Sequence, residues 1–247
     1  MAWLTAVVFK EAITRPVGYW GALRDQLFSI LKLCWFPMAV ATTVFGLGAP
    51  GLQALNLFSQ LGVPDRIGSF FVMASIREFA PWINAMVVAG VVGTAVTADL
   101  GARKIRDEID ALEVMGVDPV RTLVVPRVLA LFIITGLLDL VALTFGVIGG
   151  YIAAVVIGDA TTGAFTASFF DNATTTDVWA TVAKTALFGL IIGVVCCYKG
   201  MTAQGGPAGV GRAVNQAVVI TFCAIWISNF LFTNLLLAFN PEMLVFK

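Results

Sequence analysis

The sequence contains no histidine, which excludes sites that need an imidazole as general base or metal ligand. Charged residues are scarce, at 12% of the chain, when roughly 25% is usual in soluble domains. The four cysteines, among them the adjacent Cys196 and Cys197, lie in apolar runs without metal-ligand spacing, so we expect buried thiols. The phosphate-binding loop G-x-x-x-x-G-K-[ST] is also missing, so the chain does not hydrolyse ATP by itself.

Apolar residues dominate the amino-acid composition. They make up 59% of the sequence, and long uncharged runs of this kind predict membrane-spanning helices. We therefore expect an all-α integral membrane protein forming a single domain over residues 1–247. Its predicted parts are an interfacial region at 1–32 and five spans at 33–64, 68–100, 127–157, 178–198 and 213–239.

The interfacial prediction for residues 1–32 comes from an amphipathic pattern. Trp20, Leu23, Leu27 and Ile30 share one helical face, while polar residues occupy the others. A helix of this kind often lies in the membrane interface rather than across the bilayer.

The distribution of basic residues predicts the orientation. Cytoplasmic segments of membrane proteins carry an excess of Lys and Arg. The N-terminal region and the segments between spans two and three and between spans four and five hold almost all of them: Lys10, Arg15, Arg24, Lys32, Arg103, Lys104, Arg106, Arg121, Arg127, Lys199 and Arg212. The opposite side has Arg66 and Lys247, with Asp159, Asp171 and Asp177. The N-terminus is thus predicted to be cytoplasmic and the C-terminus extracytoplasmic.

Residues 99–127 form the most charged segment and lie between spans two and three. Within it, Ile105, Ile109 and Leu112 recur at helical spacing, which predicts a short amphipathic helix over 102–116. Gly116 and Pro119 are typical helix-ending residues. The helix is either a solvated connector or a docking element for a cytoplasmic partner that covers its apolar stripe.

Four charged residues fall in the interior of the predicted spans, away from the span ends, where charge is costly and commonly functional. Arg77 and Glu78 are either an interfacial pair at the start of a helix or part of a site. Lys184 lies in span four. For Asp139, in span three, we favour a hydrogen bond between helices over a transport role.

Two motifs of the charged segment resemble a known family. The sequences Glu108-Ile-Asp-Ala-Leu-Glu-Val-Met-Gly-Val-Asp-Pro119 and Val125-Pro-Arg-Val-Leu-Ala130 are similar to the signature of MlaE/YrbE permeases, the membrane subunits of Mla- and Mce-type lipid ABC transporters. Arg77-Glu-Phe-Ala-Pro81 extends the resemblance, which covers roughly residues 20–240 and is strongest to the actinobacterial (mycobacterial) Mce-associated YrbE subunits. One departure is Asp107-Glu-Ile-Asp110, where Glu-Gln-x-Asp is common in the family.

The resemblance implies a permease that moves fatty acids, phospholipids, sterols or mycolates between an Mce tunnel and the bacterial inner membrane, in the direction of import. It implies no cofactor in this chain, because ATP and Mg would bind to a partner ATPase dimer. The other implied partners are a second YrbE-type permease, with a heterodimer favoured, and an Mce protein ring; no nucleic acid is expected.

The resemblance also implies roles for individual residues. Arg77, Glu78 and Lys184 would face a lipid-binding cavity. The residues expected to couple to the ATPase are Ile105, Glu108, Ile109, Asp110, Leu112, Gly116, Asp118 and Pro119. The alternative to this permease is a self-contained secondary transporter or channel for an amphipathic solute, which would favour an inverted repeat or several paired intramembrane charges.

Overall fold

A computed structural model describes residues 1–14, 18–158 and 160–244. Arg15, Asp159 and Lys247, which contribute to the charge bias above, lie outside these ranges. Helices and connecting turns account for the described residues, and no strand occurs among them. The all-α prediction is therefore confirmed.

Eight helices can be traced through the described residues, and five of them are long and apolar enough to cross a membrane: α2, α3, α5, α7 and α8. The prediction of five spans is confirmed. The bounds are α1 Ala2–Thr14, α2 Trp20–Gln60, α3 Pro64–Ile105, α4 Glu108–Val114, α5 Val120–Ile157, α6 Thr162–Asn172, α7 Thr175–Met201 and α8 Gly206–Phe239, followed by a 3₁₀ turn, Pro241–Leu244.

The N-terminal region differs from the predicted interfacial helix over 1–32. Residues 20–32 do not form a separate helix, because α2 starts at Trp20 and continues without a break through the predicted first span. Leu23 and Ile30, on the predicted interfacial face, are buried against protein. Part of the amphipathic pattern therefore reflects packing within the chain, whereas Trp20 on the same face is 61% exposed.

Wide π-helical turns interrupt the long helices. They occupy Gly48–Gln53, Val72–Phe79, Ala89–Gly93, Val120–Val124 and Ile152–Ile157. Three contain or closely precede a proline: Pro50, Pro81 or Pro126. Proline has no N–H and its ring clashes with the carbonyl four residues earlier, so a widened turn lets the helix continue.

Contacts divide the chain into two compact units. Each of the five long helices supplies one segment to each unit. One unit contains Met1–Cys34, Ala85–Thr135 and Ala186–Ile227. In this unit α7 packs closely on α5, since a Cβ added at Gly193 would lie 3.1 Å from the Val128 Cα. The Thr97 hydroxyl of α3 also donates to the Cys196 carbonyl, at 3.2 Å.

The other unit contains Trp35–Asn84, Gly136–Thr185 and Ser228–Lys247. Here α2 and α5 approach so closely that a Cβ on Gly46 would lie 2.5 Å from the Gly146 carbonyl oxygen. Helix α6 packs on the start of α3, where Ser69 donates a hydrogen bond to the Ser168 carbonyl. These contacts hold the polar residues described next.

Candidate functional site

A cluster of polar side chains occupies the second unit and contains the three residues predicted to bind lipid. We call it the polar cluster. Its members are Arg77 and Glu78 from α3, Asp177 and Lys184 from α7, and Asn229 and Thr233 from α8. Asp177 and Lys184 are seven apart and Asn229 and Thr233 are four apart, so each of these two pairs lies on one face of its helix.

Arg77 joins three parts of the chain. Its Nε donates to Asp177 Oδ1 at 2.6 Å, and its Nη1 donates to the Met243 carbonyl at 2.6 Å. Only 10% of the Arg77 side chain is exposed, and that of Asp177 is fully buried. Arginine suits such a site because its planar guanidinium has several donors in fixed directions.

Asp177 has a second role at the beginning of α7. Its Oδ2 accepts hydrogen bonds from the backbone N–H and the hydroxyl of Thr174, at 2.9 and 2.8 Å. The Thr174 hydroxyl in turn accepts from the Asp177 backbone N–H. This reciprocal pair of hydrogen bonds is a capping box. It holds Asp177, the partner of Arg77, in place at the start of α7.

Lys184 compensates for the proline in α3. The ammonium group donates to the Arg77 carbonyl at 2.7 Å. In a regular helix that carbonyl would accept from residue 81, which is a proline without an N–H. Lys184 also donates to the Thr233 hydroxyl at 2.8 Å, and its side chain is only 3% exposed. It therefore satisfies backbone as well as side-chain groups.

Glu78 is the most accessible ionised member of the polar cluster. Its two oxygens accept from the Thr233 hydroxyl and the Asn229 amide, both at 2.8 Å. Lys184 Nζ lies 3.7 Å from Oε1. The Glu78 side chain remains 44% exposed, so an incoming group can approach it.

Asp139 lies beside this cluster and is completely buried. Its Oδ2 accepts from the Thr181 hydroxyl at 2.7 Å, and its Oδ1 accepts from the Asn84 amide at 3.4 Å. Asp139 on α5 is thus bonded to α7 and α3. The expected hydrogen bond between helices is present.

The pocket beside the polar cluster is very small. Arg77, Asp177, Lys184 and Thr233 are among its lining residues, and it holds about 10 Å³, roughly the space of one water. An acyl chain does not fit in it. The predicted lipid-binding role of Arg77, Glu78 and Lys184 stays a prediction, and it requires space outside this pocket.

The charged segment between the second and third spans folds differently from the predicted continuous helix over 102–116. Helix α3 continues to Ile105, and the short helix α4 begins only at Glu108. Between them Asp107 adopts a left-handed conformation with φ of 57°, which is uncommon for a residue other than glycine. Ile105 therefore belongs to α3.

This break also changes the ion pairs. Helical spacing pairs Lys104 with Glu108 and Arg106 with Asp110. Instead, Lys104 lies 2.6 Å from Asp110, and Arg106 lies 2.8 Å from Glu108. The left-handed residue shifts α4 relative to the end of α3, so the pairs of a continuous helix do not form.

The apolar surface of α4 is not the predicted stripe. Ile109 is covered by the chain itself and only 2% exposed, which corrects the expectation that it awaits a partner. Leu112 is half-buried, whereas Val114 and Met115 are 87% and 68% exposed. A groove of about 290 Å³ lies here, lined by Arg103, Glu108, Ile109, Ala111, Leu112, Met115 and Leu123.

Gly116 ends α4 as predicted. Its φ is +76°, its N–H donates to the Glu113 carbonyl, and the Val117 N–H donates to the Leu112 carbonyl. These two bonds form a Schellman motif, for which a left-handed residue is required. Asp118 then accepts from the Val120 N–H at 2.9 Å, and Pro119 leads into α5.

Several important residues were missed by the sequence analysis. Asp99 and Arg127, at the two ends of the charged segment, form an ion pair that closes it. Asn229 and Thr233 bind Glu78, and Asp177 binds Arg77. The four-residue spacing of Asn229 and Thr233 in an apolar run was the available signal, because polar residues there usually face a partner.

Comparison with known proteins gives the family. Residues 23–235 match the MlaE permease family. The chain belongs to this family. The match includes the polar cluster, α4 and all five spans except the ends of the first and last.

Relatives of this MlaE-family chain occur in bacteria and plants. A probable ABC transporter permease of Rickettsia typhi is 33% identical over 94% of this chain and 90% of the relative. One of Synechocystis is 33% identical over 78% of this chain and 75% of the relative. The chloroplastic protein trigalactosyldiacylglycerol 1 of Arabidopsis thaliana is 33% identical over 74% of this chain and 52% of the relative.

Proposed function

We propose that this chain is the membrane permease subunit of a lipid ABC transporter in a bacterial plasma membrane. The observation that carries the proposal is the family match over residues 23–235. Relatives named as probable ABC transporter permeases support it. Because the sequence has no phosphate-binding loop, ATP and Mg would bind to a separate cytoplasmic ATPase dimer, which drives transport.

The coupling contact with the ATPase is assigned to α4. A seven-residue helix is too short to be stable alone, and α4 is anchored by buried Ile109 and closed by Gly116. Val114 and Met115 then project from a fixed support. Exposed apolar side chains beside a groove are typical of a protein contact, so these two residues and Leu112 replace the predicted stripe.

The polar cluster is assigned to lipid handling through Glu78. Arg77 and Lys184 are occupied by protein partners, whereas the Glu78 carboxylate is partly open. A lipid site needs apolar walls with a few polar groups for the headgroup. In this proposal Arg77 and Lys184 set the position of Glu78, and the acyl chains lie outside the small pocket.

The remaining assignments rest on the resemblance of residues 108–119 and 125–130 to Mce-associated permeases. They are a second YrbE-type permease in a heterodimer, an Mce ring on the external side, and lipid import. The surface of α8 supports a second subunit, since only 11% of its apolar spanning stretch is buried. In its C-terminal half, Phe230, Leu231 and Leu235 are exposed and need lipid or protein cover.

Recovery of the ATPase with the permease tests the proposal. Met115→Asp places a charge in the proposed contact, where it would be desolvated without a partner. Loss of an interface anchor costs about 2 kcal/mol or more, which is roughly a 30-fold weaker complex. We expect the ATPase to be lost from pull-downs of the variant, together with lipid-stimulated ATP hydrolysis.

Ala208→Asp is the matched control, because Ala208 is also exposed and lies on the same predicted side of the membrane. It should retain the ATPase. If Met115→Asp and Val114→Asp both recover the ATPase normally, α4 is a solvated connector. If no ATPase accompanies even the unaltered chain, the transporter assignment itself is wrong.

A further inference from the structure

A second polar pocket lies in the first unit, at the ends of α7 and α8 that the charge bias places on the cytoplasmic side. We call it the basic pocket. It holds about 230 Å³, and its polar lining comes from Lys199, Thr202, Gln204, Arg212 and Gln216. Nothing in the coupling or lipid-transport proposals uses it.

Positive charge in the basic pocket is not balanced by the protein. Lys199 Nζ donates to the neutral amide oxygen of Gln216 at 3.0 Å. No acidic residue is among the described residues that line the pocket. The sequence agrees, because no aspartate or glutamate occurs between Asp177 and Glu242. Two cations that share a pocket without a carboxylate favour an anionic ligand.

The backbone is shaped to hold the Arg212 side chain. Gly205 has a φ of +87°, and a Cβ there would lie 2.9 Å from Arg212 Nη2. The glycine therefore leaves the space in which the guanidinium lies along the loop between α7 and α8. This contact holds the positive charge of Arg212 at the basic pocket.

The exposed surface of α8 continues from the pocket as an apolar strip. Arg212 and Gln216 share a helical face with Ile220, Cys223 and Ile227, at spacings of three or four residues. Ile220 is half-buried, and Cys223 and Ile227 are exposed. A ligand with a negative headgroup and apolar tails would fill the basic pocket and also cover the apolar strip next to it. An acidic protein segment would leave the strip uncovered.

We propose that the basic pocket binds the phosphate of an anionic phospholipid of the cytoplasmic leaflet. The acyl chains lie along Ile220, Cys223 and Ile227. Basic pockets between membrane helices on the cytoplasmic side are suited to such headgroups. This bound lipid is part of the resting structure rather than cargo, so the proposal needs the cytoplasmic orientation but not the transport function.

Lipid titration of the full chain, purified in detergent with the subunits that accompany it, tests the site. Binding of dioleoyl phosphatidylglycerol and dioleoyl phosphatidylcholine is followed by native mass spectrometry. We expect saturable binding of phosphatidylglycerol only. The double variant Lys199→Gln/Arg212→Gln should raise its apparent Kd about 10- to 30-fold, at about tenfold or less for each lost cation.

Two further variants test whether lipid binding depends on the charge of the basic pocket itself. Lys10→Gln/Lys32→Gln removes two exposed cytoplasmic cations outside the pocket and should leave binding unchanged. Gln216→Glu adds an acid beside Lys199 without removing a cation, and should weaken phosphatidylglycerol binding even if the double variant does not fold.

Four outcomes would overturn the proposal. Equal binding of both lipids would show that charge is not recognised, and equal weakening by Lys10→Gln/Lys32→Gln would indicate general surface charge. Displacement by inorganic phosphate at the lipid's own concentration would identify a site for a soluble anion. Loss of the ATPase from the pocket variants, with lipid binding unchanged, would identify a protein contact.

Discussion

At the scale of single residues, Lys184 and Glu78 carry opposite charges but have different positions in the network. Lys184 is buried and bonds to the Arg77 carbonyl and the Thr233 hydroxyl. Glu78 accepts from two neutral donors and is partly exposed. Lys184 therefore links α7 to α3 and α8, whereas the Glu78 side chain is partly open to its surroundings.

We therefore expect Lys184→Ala to lower the stability of the folded chain by about 2 to 3 kcal/mol, since hydrogen bonds to a charged group are lost and a carbonyl is left unpaired. Glu78→Gln should cost about 1 kcal/mol or less, because the amide still accepts a hydrogen bond, but it should reduce lipid transport. Thermal unfolding in detergent and lipid transport by reconstituted transporter separate the two effects. Equal loss of stability in both variants would mean that Glu78 is structural too.

At the scale of elements, the widened turns show how these helices accommodate proline. Pro81 follows the π-helical turn Val72–Phe79, and Lys184 supplies the hydrogen bond that the proline cannot donate. Pro37, by contrast, lies inside the regular α-helical segment Trp20–Leu47. A widened turn and Lys184 therefore accompany the proline at position 81, whereas the helix around Pro37 has no such turn.

This difference can be measured with two alanine variants. Pro37→Ala should raise the stability of the chain, because a helix-interior proline costs about 3 kcal/mol relative to alanine. Pro81→Ala should leave stability unchanged or lower it, since a new N–H competes with Lys184 for the Arg77 carbonyl. Melting temperatures of the two variants in the same detergent decide this. A larger gain at position 81 than at 37 would contradict the explanation.

At the scale of the whole molecule, the five spans and the basic-residue bias predict the orientation in the membrane. The bias predicts that α4 lies in the cytoplasm and α6 outside. Val114 on α4 and Phe170 on α6 are both highly exposed, so the two positions differ mainly in the side of the membrane that each is predicted to face.

Cysteine labelling in intact cells tests this orientation. In a background with exposed Cys223 replaced by serine, an impermeant thiol reagent should label Phe170→Cys but not Val114→Cys. Both should react after the cells are permeabilised, which controls for accessibility. The reverse pattern in intact cells would invert the topology and remove α4 from the reach of an ATPase.

The sequence predicted the features that depend on local pattern. Hydropathy predicted the five spans, and Gly116 was recognised as a helix end because a left-handed residue favours glycine. The break at Asp107 was not foreseen, because propensity does not favour a left-handed aspartate over a continuous helix. The burial of Ile109 and the partners of Arg77 depend on residues far along the chain, which periodicity does not reveal.

The long sequence separations in the polar cluster have a consequence for biosynthesis. Arg77 bonds to Met243, 166 residues later, and Glu78 bonds to Thr233, 155 residues later. Neither hydrogen bond can therefore form until most of the chain has been translated. During that time α3 carries unpaired charges, which are costly in hydrocarbon, and the nascent chain depends on the insertion machinery. Chains that stop before α8 lack the partners of Glu78 and should be recognised as incomplete by membrane quality-control proteases.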